Sequence, residues 1–219
     1  MRRLIFFAKR AEAGKVKTRL TPPLTAEQAV GLYRGFVADG LEFVRQFEND
    51  HCQVECCTDA PWEPPSGLGI RMTLQCPGDL GARMLDAFRR ADGEGADVTV
   101  ILGADAPTLP HALVDQAFNL LEDGVEAVVT PAEDGGYVLI GACRPLPGLF
   151  RDVPWGGEGV LAATRGAAIE YGIRLEETDP WYDIDQAGDL VRLGEELATP
   201  RGRIRAPRTW AALETIWTP

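Results

Sequence analysis

Short uncharged runs alternate along this chain with longer amphipathic stretches. Leu4-Ile5-Phe6-Phe7-Ala8 is a short apolar run and predicts a buried strand. A loop follows from Lys9 to Pro23. Thr25-Ala26-Glu27-Gln28 then reads as a capping box, with Thr25 at the cap and Gln28 three residues on. Ala29, Leu32, Tyr33, Phe36, Val37, Leu41 and Val44 recur at helical spacing. Strands are predicted over Cys52–Thr58 and Ile70–Cys76, and a helix over Gly81–Ala91 with Met84, Leu85 and Phe88 on one face. Val98–Leu102 is the clearest buried strand and runs into Gly103-Ala104-Asp105. A helix follows Pro110. Ala127-Val128-Val129 and Tyr137–Cys143 are further strands, separated by Glu133-Asp134-Gly135-Gly136. Glu158–Tyr171 reads as a helix, Ile173–Glu177 as extended, Asp189–Leu197 as a helix and Pro207–Trp217 as a terminal amphipathic segment.

Strands alternating with helices imply a mostly parallel sheet covered on both faces, in one α/β domain over residues 1–219. In such sheets ligands bind beyond the carboxyl ends of the strands. A site is therefore expected just after Ala8, Leu102, Val129 and Glu177.

Composition narrows the class. Hydrophobic residues are 45% and charged residues 25% of the 219, which excludes general disorder. No apolar run reaches the ~20 residues of a membrane helix. The five residues Leu4–Ala8 are too few for a signal peptide, so the chain is expected to stay in the cytoplasm. Cys52, Cys56, Cys57, Cys76 and Cys143 lack CxxC spacing and read as reduced core thiols. A metal cluster from His51 and the neighbouring cysteines is disfavoured, because alternate strand residues diverge and no second group completes the ligands. With only His51 and His111, and no GxSxG, a Ser-His-Asp hydrolase is disfavoured too.

The net charge of −11 is unevenly spread. Residues 1–20 carry seven basic side chains and only Glu12 against them, and all three lysines lie between positions 9 and 17. An acidic body repels nucleic acid, whereas a small basic island suits a compact anion such as a nucleotide's phosphates. Arg2 and Arg3 are read as a solvated terminus. In the loop, Gly14 would permit close backbone approach and Lys15, Lys17 and Arg19 are expected to neutralise phosphates, the competing reading being a mobile, solvated turn. The loop is not a P-loop: Lys9 stands at the first glycine and Val16 at the Ser/Thr. Gly156-Gly157-Glu158-Gly159 has no strand before it and is no dinucleotide fingerprint. Asp105, beyond a rigid strand, is a candidate metal ligand. Asp183 and Asp185 point to one side of an extended segment, and one of them is expected to join Asp105 around Mg²⁺. The competing reading of Asp185 is a cap for the next helix.

Taken together, these segments resemble a known family. Phe7-Ala8-Lys9, Gly14-Lys15-Val16-Lys17-Thr18-Arg19-Leu20, Gly78-Asp79-Leu80-Gly81-Ala82-Arg83-Met84, Gly103-Ala104-Asp105-Ala106-Pro107, Glu133-Asp134-Gly135-Gly136-Tyr137 and Asp183-Ile184-Asp185 occur in this order in bacterial glycosyltransferase-like proteins. Those proteins are similar to 2-phospholactate guanylyltransferase and belong to the nucleotide-diphospho-sugar transferases of GT-A fold. The resemblance spans about residues 4–195. It implies a three-layer α/β/α fold with a mixed, mainly parallel sheet. It further implies phosphate binding by Lys9, Gly14, Lys15, Lys17 and Arg19, and a base-side loop with Asp79 and Arg83. Asp105 and Asp185 would hold Mg²⁺ or Mn²⁺ and, with Lys15, carry the catalysis. Asp134, Gly135, Gly136 and Tyr137 would form the acceptor side. Two departures stand out: position 103 is Gly where a GT-A glycosyltransferase has the first Asp of Asp-x-Asp, and Gly156-Gly157 follows Pro154-Trp155.

The expected function is glycosyl transfer from a nucleotide-sugar donor to a small acceptor. Nucleotidyl transfer from a nucleoside triphosphate is the alternative, since three clustered cations suit a triphosphate. A non-catalytic nucleotide-binding module is the third reading.

Overall fold

In the computed structural model, which describes residues 1–62 and 69–216, the first apolar run becomes strand β1 (Arg2–Ala8). Its side chains alternate between the two faces of the sheet. Leu4, Phe6 and Ala8 enter one apolar cluster, and Ile5 and Phe7 enter a second on the opposite face. The remaining strands are β2 (Cys52–Thr58), β3 (Arg71–Leu74), β4 (Val98–Gly103), β5 (Ala127–Pro131), β6 (Tyr137–Ala142) and β7 (Leu175–Glu177). They form one seven-stranded sheet in the order β3-β2-β1-β4-β6-β5-β7. Only β6 runs antiparallel, to both β4 and β5. The reason is local: β5 returns as β6 through five residues, too few for the crossover a parallel neighbour needs.

Helix α1 (Ala26–Arg45) starts at the expected capping box: the Thr25 side chain accepts from the Gln28 N–H and the Gln28 side chain from the Thr25 N–H. α1, α3 (His111–Glu122), α5 (Asp189–Ala198) and α7 (Pro207–Ile216) send apolar residues into the first cluster. α2 (Leu80–Gly93) and α4 (Val160–Glu170) send Met84, Phe88, Leu161 and Ala168 into the second. The result is the expected three-layer α/β/α arrangement. α6 (Pro200–Arg205) is a short additional turn of helix. The predicted terminal segment matches α7, and its last residue, Trp217, lies outside the described residues. No described helix is long and apolar enough to cross a membrane. Cys52, Cys56 and Cys57 are buried on β2.

Arg2 and Arg3 are not a solvated terminus. β1 begins at Arg2, whose guanidinium pairs with Glu122 at 2.7 Å and covers the Phe118 ring. The Arg3 side chain is only 2% exposed and meets Glu55, fully buried, at 3.2 Å and Glu94 at 3.0 Å. Arg90 closes on the other Glu55 oxygen at 2.6 Å, and Arg71 pairs with Glu94 at 2.6 Å. The alternation of β1 thus carries on through charged residues, because α3, β2 and the end of α2 supply their counter-charges.

Candidate active site

The carboxyl ends of β1 and β4 lie side by side, joined by the Ala104 N–H donating to the Phe7 carbonyl at 3.1 Å. Beyond β1 the chain makes a turn at Gly14, whose φ of 74° favours glycine, and a single 3₁₀ turn over Thr18–Leu20. Beyond β4 stands Asp105. The Ile184 N–H donates to the Asp105 carbonyl at 2.9 Å, which fastens Asp183 and Asp185 beside the β4 end. Asp185 is not the helix cap. The N–H groups of Asp185 and Gln186 donate to the Asp189 carboxylate, and the Asp185 carboxylate faces the loop.

These ends border a cleft of about 740 Å³, within the range of small-molecule sites. Of the residues singled out from sequence, Lys9, Lys15, Lys17, Arg19, Asp79, Arg83, Asp105, Asp134, Gly136, Tyr137 and Asp185 line it, and Gly14 and Gly135 do not. Asp79 lines the cleft while its carboxylate caps α2, accepting from the Ala82 N–H at 2.8 Å. Arg83 is committed to its own loop, donating to the Gly78 carbonyl and the Gln75 side chain. Gly135, with φ at 86°, packs its Cα against the Glu158 carbonyl, and its own carbonyl accepts from the Leu161 N–H at the start of α4. That contact shapes the hairpin holding Asp134, whose carboxylate accepts from the Gly136 N–H.

The charged groups pair in a pattern the sequence did not reveal. Lys17, its side chain 4% exposed, places its ammonium 2.6 Å from Asp105 and 2.8 Å from Asp185. Burial disfavours that charge, but the two carboxylates outweigh it and hold the ammonium above its ordinary pKa. Burial likewise pushes against Asp185 ionising, and Lys17 outweighs it, so the Asp185 carboxyl sits below the usual range. Lys15 is exposed and pairs with Glu12, while Arg19 points at Asp185 from 3.7 Å.

Asp134, Asp183 and Asp185 each bring one oxygen to within 4.8 Å of the others. Among the described residues this is the one group of three or more acidic, His or Cys side chains close enough to hold a metal ion. Asp183 is pushed up to about 7 by burial and by the neighbouring Asp134 and Asp185 charges. Asp105 stands outside this group, joined to it through Lys17. Trp155, read from sequence only as part of a motif departure, also lines the cleft; its indole lies so close to Gly81 that a Cβ there would meet it at 2.6 Å.

Residues 45–157 match the family model described as "Uncharacterized protein conserved in bacteria (DUF2064)". A crystal structure from Desulfovibrio desulfuricans G20, provisionally named a nucleotide-diphospho-sugar transferase, superimposes with a TM-score of 0.84 at 32% identity, covering 98% of this chain and 94% of that one. The chain belongs to the DUF2064 family. This DUF2064 protein also shares the fold of a cytidylyltransferase from Leptospira borgpetersenii, with a TM-score of 0.55, 14% identity and coverage of 98% and 94%. It shares it too with glucosyl-3-phosphoglycerate synthase from Mycobacterium tuberculosis, solved with Mn²⁺, UDP and glucosyl-3-phosphoglycerate, with a TM-score of 0.50, 11% identity and coverage of 94% and 80%. Among curated proteins, none matches in sequence.

Proposed function

We propose that this protein is a divalent-cation-dependent transferase that moves a glycosyl group from a nucleotide sugar to a small acceptor. The observation that carries the reading is one cleft lined both by exposed cations of the β1 loop and by three clustered carboxylates. Three carboxylates are hard oxygen donors and fit Mg²⁺ or Mn²⁺. Asp134, Asp183 and Asp185 would hold the ion, which when bound supplies Lewis-acid stabilisation of the charge on the departing phosphate. Lys15 and Arg19 would neutralise the donor phosphates, and Asp79 and Arg83 would shape the loop beside the base. Gly136, Tyr137 and Trp155 would border the acceptor. No nucleophilic side chain is required, because positioning and charge stabilisation suffice for such transfers.

Lys17 is already matched by two carboxylates, which leaves Lys9, Lys15 and Arg19 at the cleft for donor phosphates. The test is incubation with Mg²⁺ and a panel of nucleotide sugars and nucleoside triphosphates, each with a mixture of small hydroxylated acceptors. Release of nucleoside diphosphate from a nucleotide sugar is the expected result. Pyrophosphate release from a triphosphate would replace glycosyl by nucleotidyl transfer. Nucleotide binding without turnover would leave a binding module.

A further inference from the structure

Lys17 holds a position that a cofactor cation would contest. Its ammonium lies between Asp105 and Asp185, at 2.6 and 2.8 Å, and is almost sealed from water. It takes one Asp185 oxygen, and Arg19 faces the other from 3.7 Å. Asp185 is also one of the three carboxylates whose oxygens converge. The same carboxylate cannot serve two adjacent cations without repulsion between them, which at these separations and under partial burial is strong. The loop holds Lys17 there at a backbone cost. Its φ of 49° and ψ of 38° are left-handed, a conformation that a long L side chain adopts only when its surroundings hold it there. The Ile184–Asp105 backbone bond keeps the Asp105 and Asp185 segments adjacent, so both carboxylates meet at the Lys17 ammonium.

We infer that Lys17 is a cation latch: its ammonium bridges Asp105 and Asp185, and leaves them when a divalent cation takes Asp185. The inference rests on the three-carboxylate cation site proposed above. The latch lowers affinity for bare metal and keeps the carboxylates neutralised between turnovers. By reciprocity, whatever draws Lys17 away from Asp185 tightens metal binding by the same factor.

The chain has three lysines, at positions 9, 15 and 17, so a lysine-directed label reads the latch directly. Amine methylation followed by peptide mass spectrometry should modify Lys15, which is 69% exposed, readily and Lys17 slowly in metal-free protein. Adding Mn²⁺ alone should raise the Lys17 rate by about tenfold, a coupling of ordinary size, with Lys15 as internal standard. In parallel, Mn²⁺ titration followed by electron paramagnetic resonance, without nucleotide, should show Lys17→Met binding Mn²⁺ about tenfold tighter than wild type, and Lys17→Arg close to wild type. Unchanged or slower Lys17 labelling in Mn²⁺ overturns the latch, as does unchanged or weaker Mn²⁺ binding by Lys17→Met, or no Mn²⁺ binding by either protein. Neither arm uses a nucleotide. Failure of every nucleotide in the turnover panel would therefore sink the proposed function and leave the latch to be judged on its own result.

Discussion

Asp183 illustrates what crowding carboxylates in a buried cleft costs. Its carboxyl is pushed up to about 7 by burial, with Asp134 and Asp185 adding repulsion, whereas in the unfolded chain it titrates near 3.9. A raised carboxyl gives its full stability below the unfolded value and loses it as pH rises through the folded one. Asp183→Asn, which cannot ionise, should therefore leave the metal-free melting midpoint nearly unchanged relative to wild type at pH 4. At pH 8.5 it should raise the midpoint by several degrees. Thermal melts of both proteins across that range check it, and a difference independent of pH would reject the explanation. Sequence singled out Asp105, Asp183 and Asp185 because each follows a strand or alternates in an extended segment. It did not reveal that Asp134 joins Asp183 and Asp185, nor that Lys17 stands beside Asp105. Those groupings depend on where two loops, far apart in sequence, fold over one another.

At the scale of elements, periodicity carried most of the fold. The capping box, the α1 stripe and the uncharged β4 run are local signals, and each element formed where its signal lay. Arg3 was misread because a charged residue hides strand alternation unless its partners are known. Its partners Glu55 and Glu94 lie on β2 and just after α2. The β5–β6 hairpin depends on a contact of the same non-local kind. Gly135 needs its positive φ, and a Cβ there would lie 2.1 Å from the Glu158 carbonyl oxygen, which is backbone and cannot swing aside. Gly14 also has positive φ but open space around it. Gly135→Ala should thus cost about 3 kcal/mol or somewhat more, near the upper end for a strained position, and weaken Mn²⁺ binding by displacing Asp134. Gly14→Ala should cost only the ~1–2 kcal/mol of a left-handed alanine. Urea denaturation of the two variants separates the cases, and equal losses would show that packing on Glu158 contributes nothing.

For the whole molecule, the decisive feature is that an acidic body presents its basic loop at one end of the sheet. The C-terminal helices return to α1, where the buried Asp39 accepts from the Arg208 and Thr209 N–H groups at the start of α7. With a net charge of −11, the protein as a whole repels an anionic donor, and attraction must come from the loop. Lys17 is held by Asp105 and Asp185, so the exposed Lys9, Lys15 and Arg19 carry that attraction. Exposed charges add only about 0–1 kcal/mol each to folding, so Lys15→Ala and Arg19→Ala should melt close to wild type. A charge-assisted contact to phosphate contributes roughly 1.5–3 kcal/mol, so each variant should lose about tenfold or more in donor affinity. The loss should be greater for a nucleoside diphosphate than for the monophosphate, since a second phosphate brings more negative charge to the loop's cations. It should shrink as salt rises from about 0.05 M to 0.5 M, because the Debye length then falls well below 10 Å. Titration calorimetry with Mg²⁺ at both salt concentrations measures this. Equal binding of the diphosphate by wild type and both variants at low salt would remove the phosphate role from the loop, leaving the acidic triad as the part of the site still to be explained.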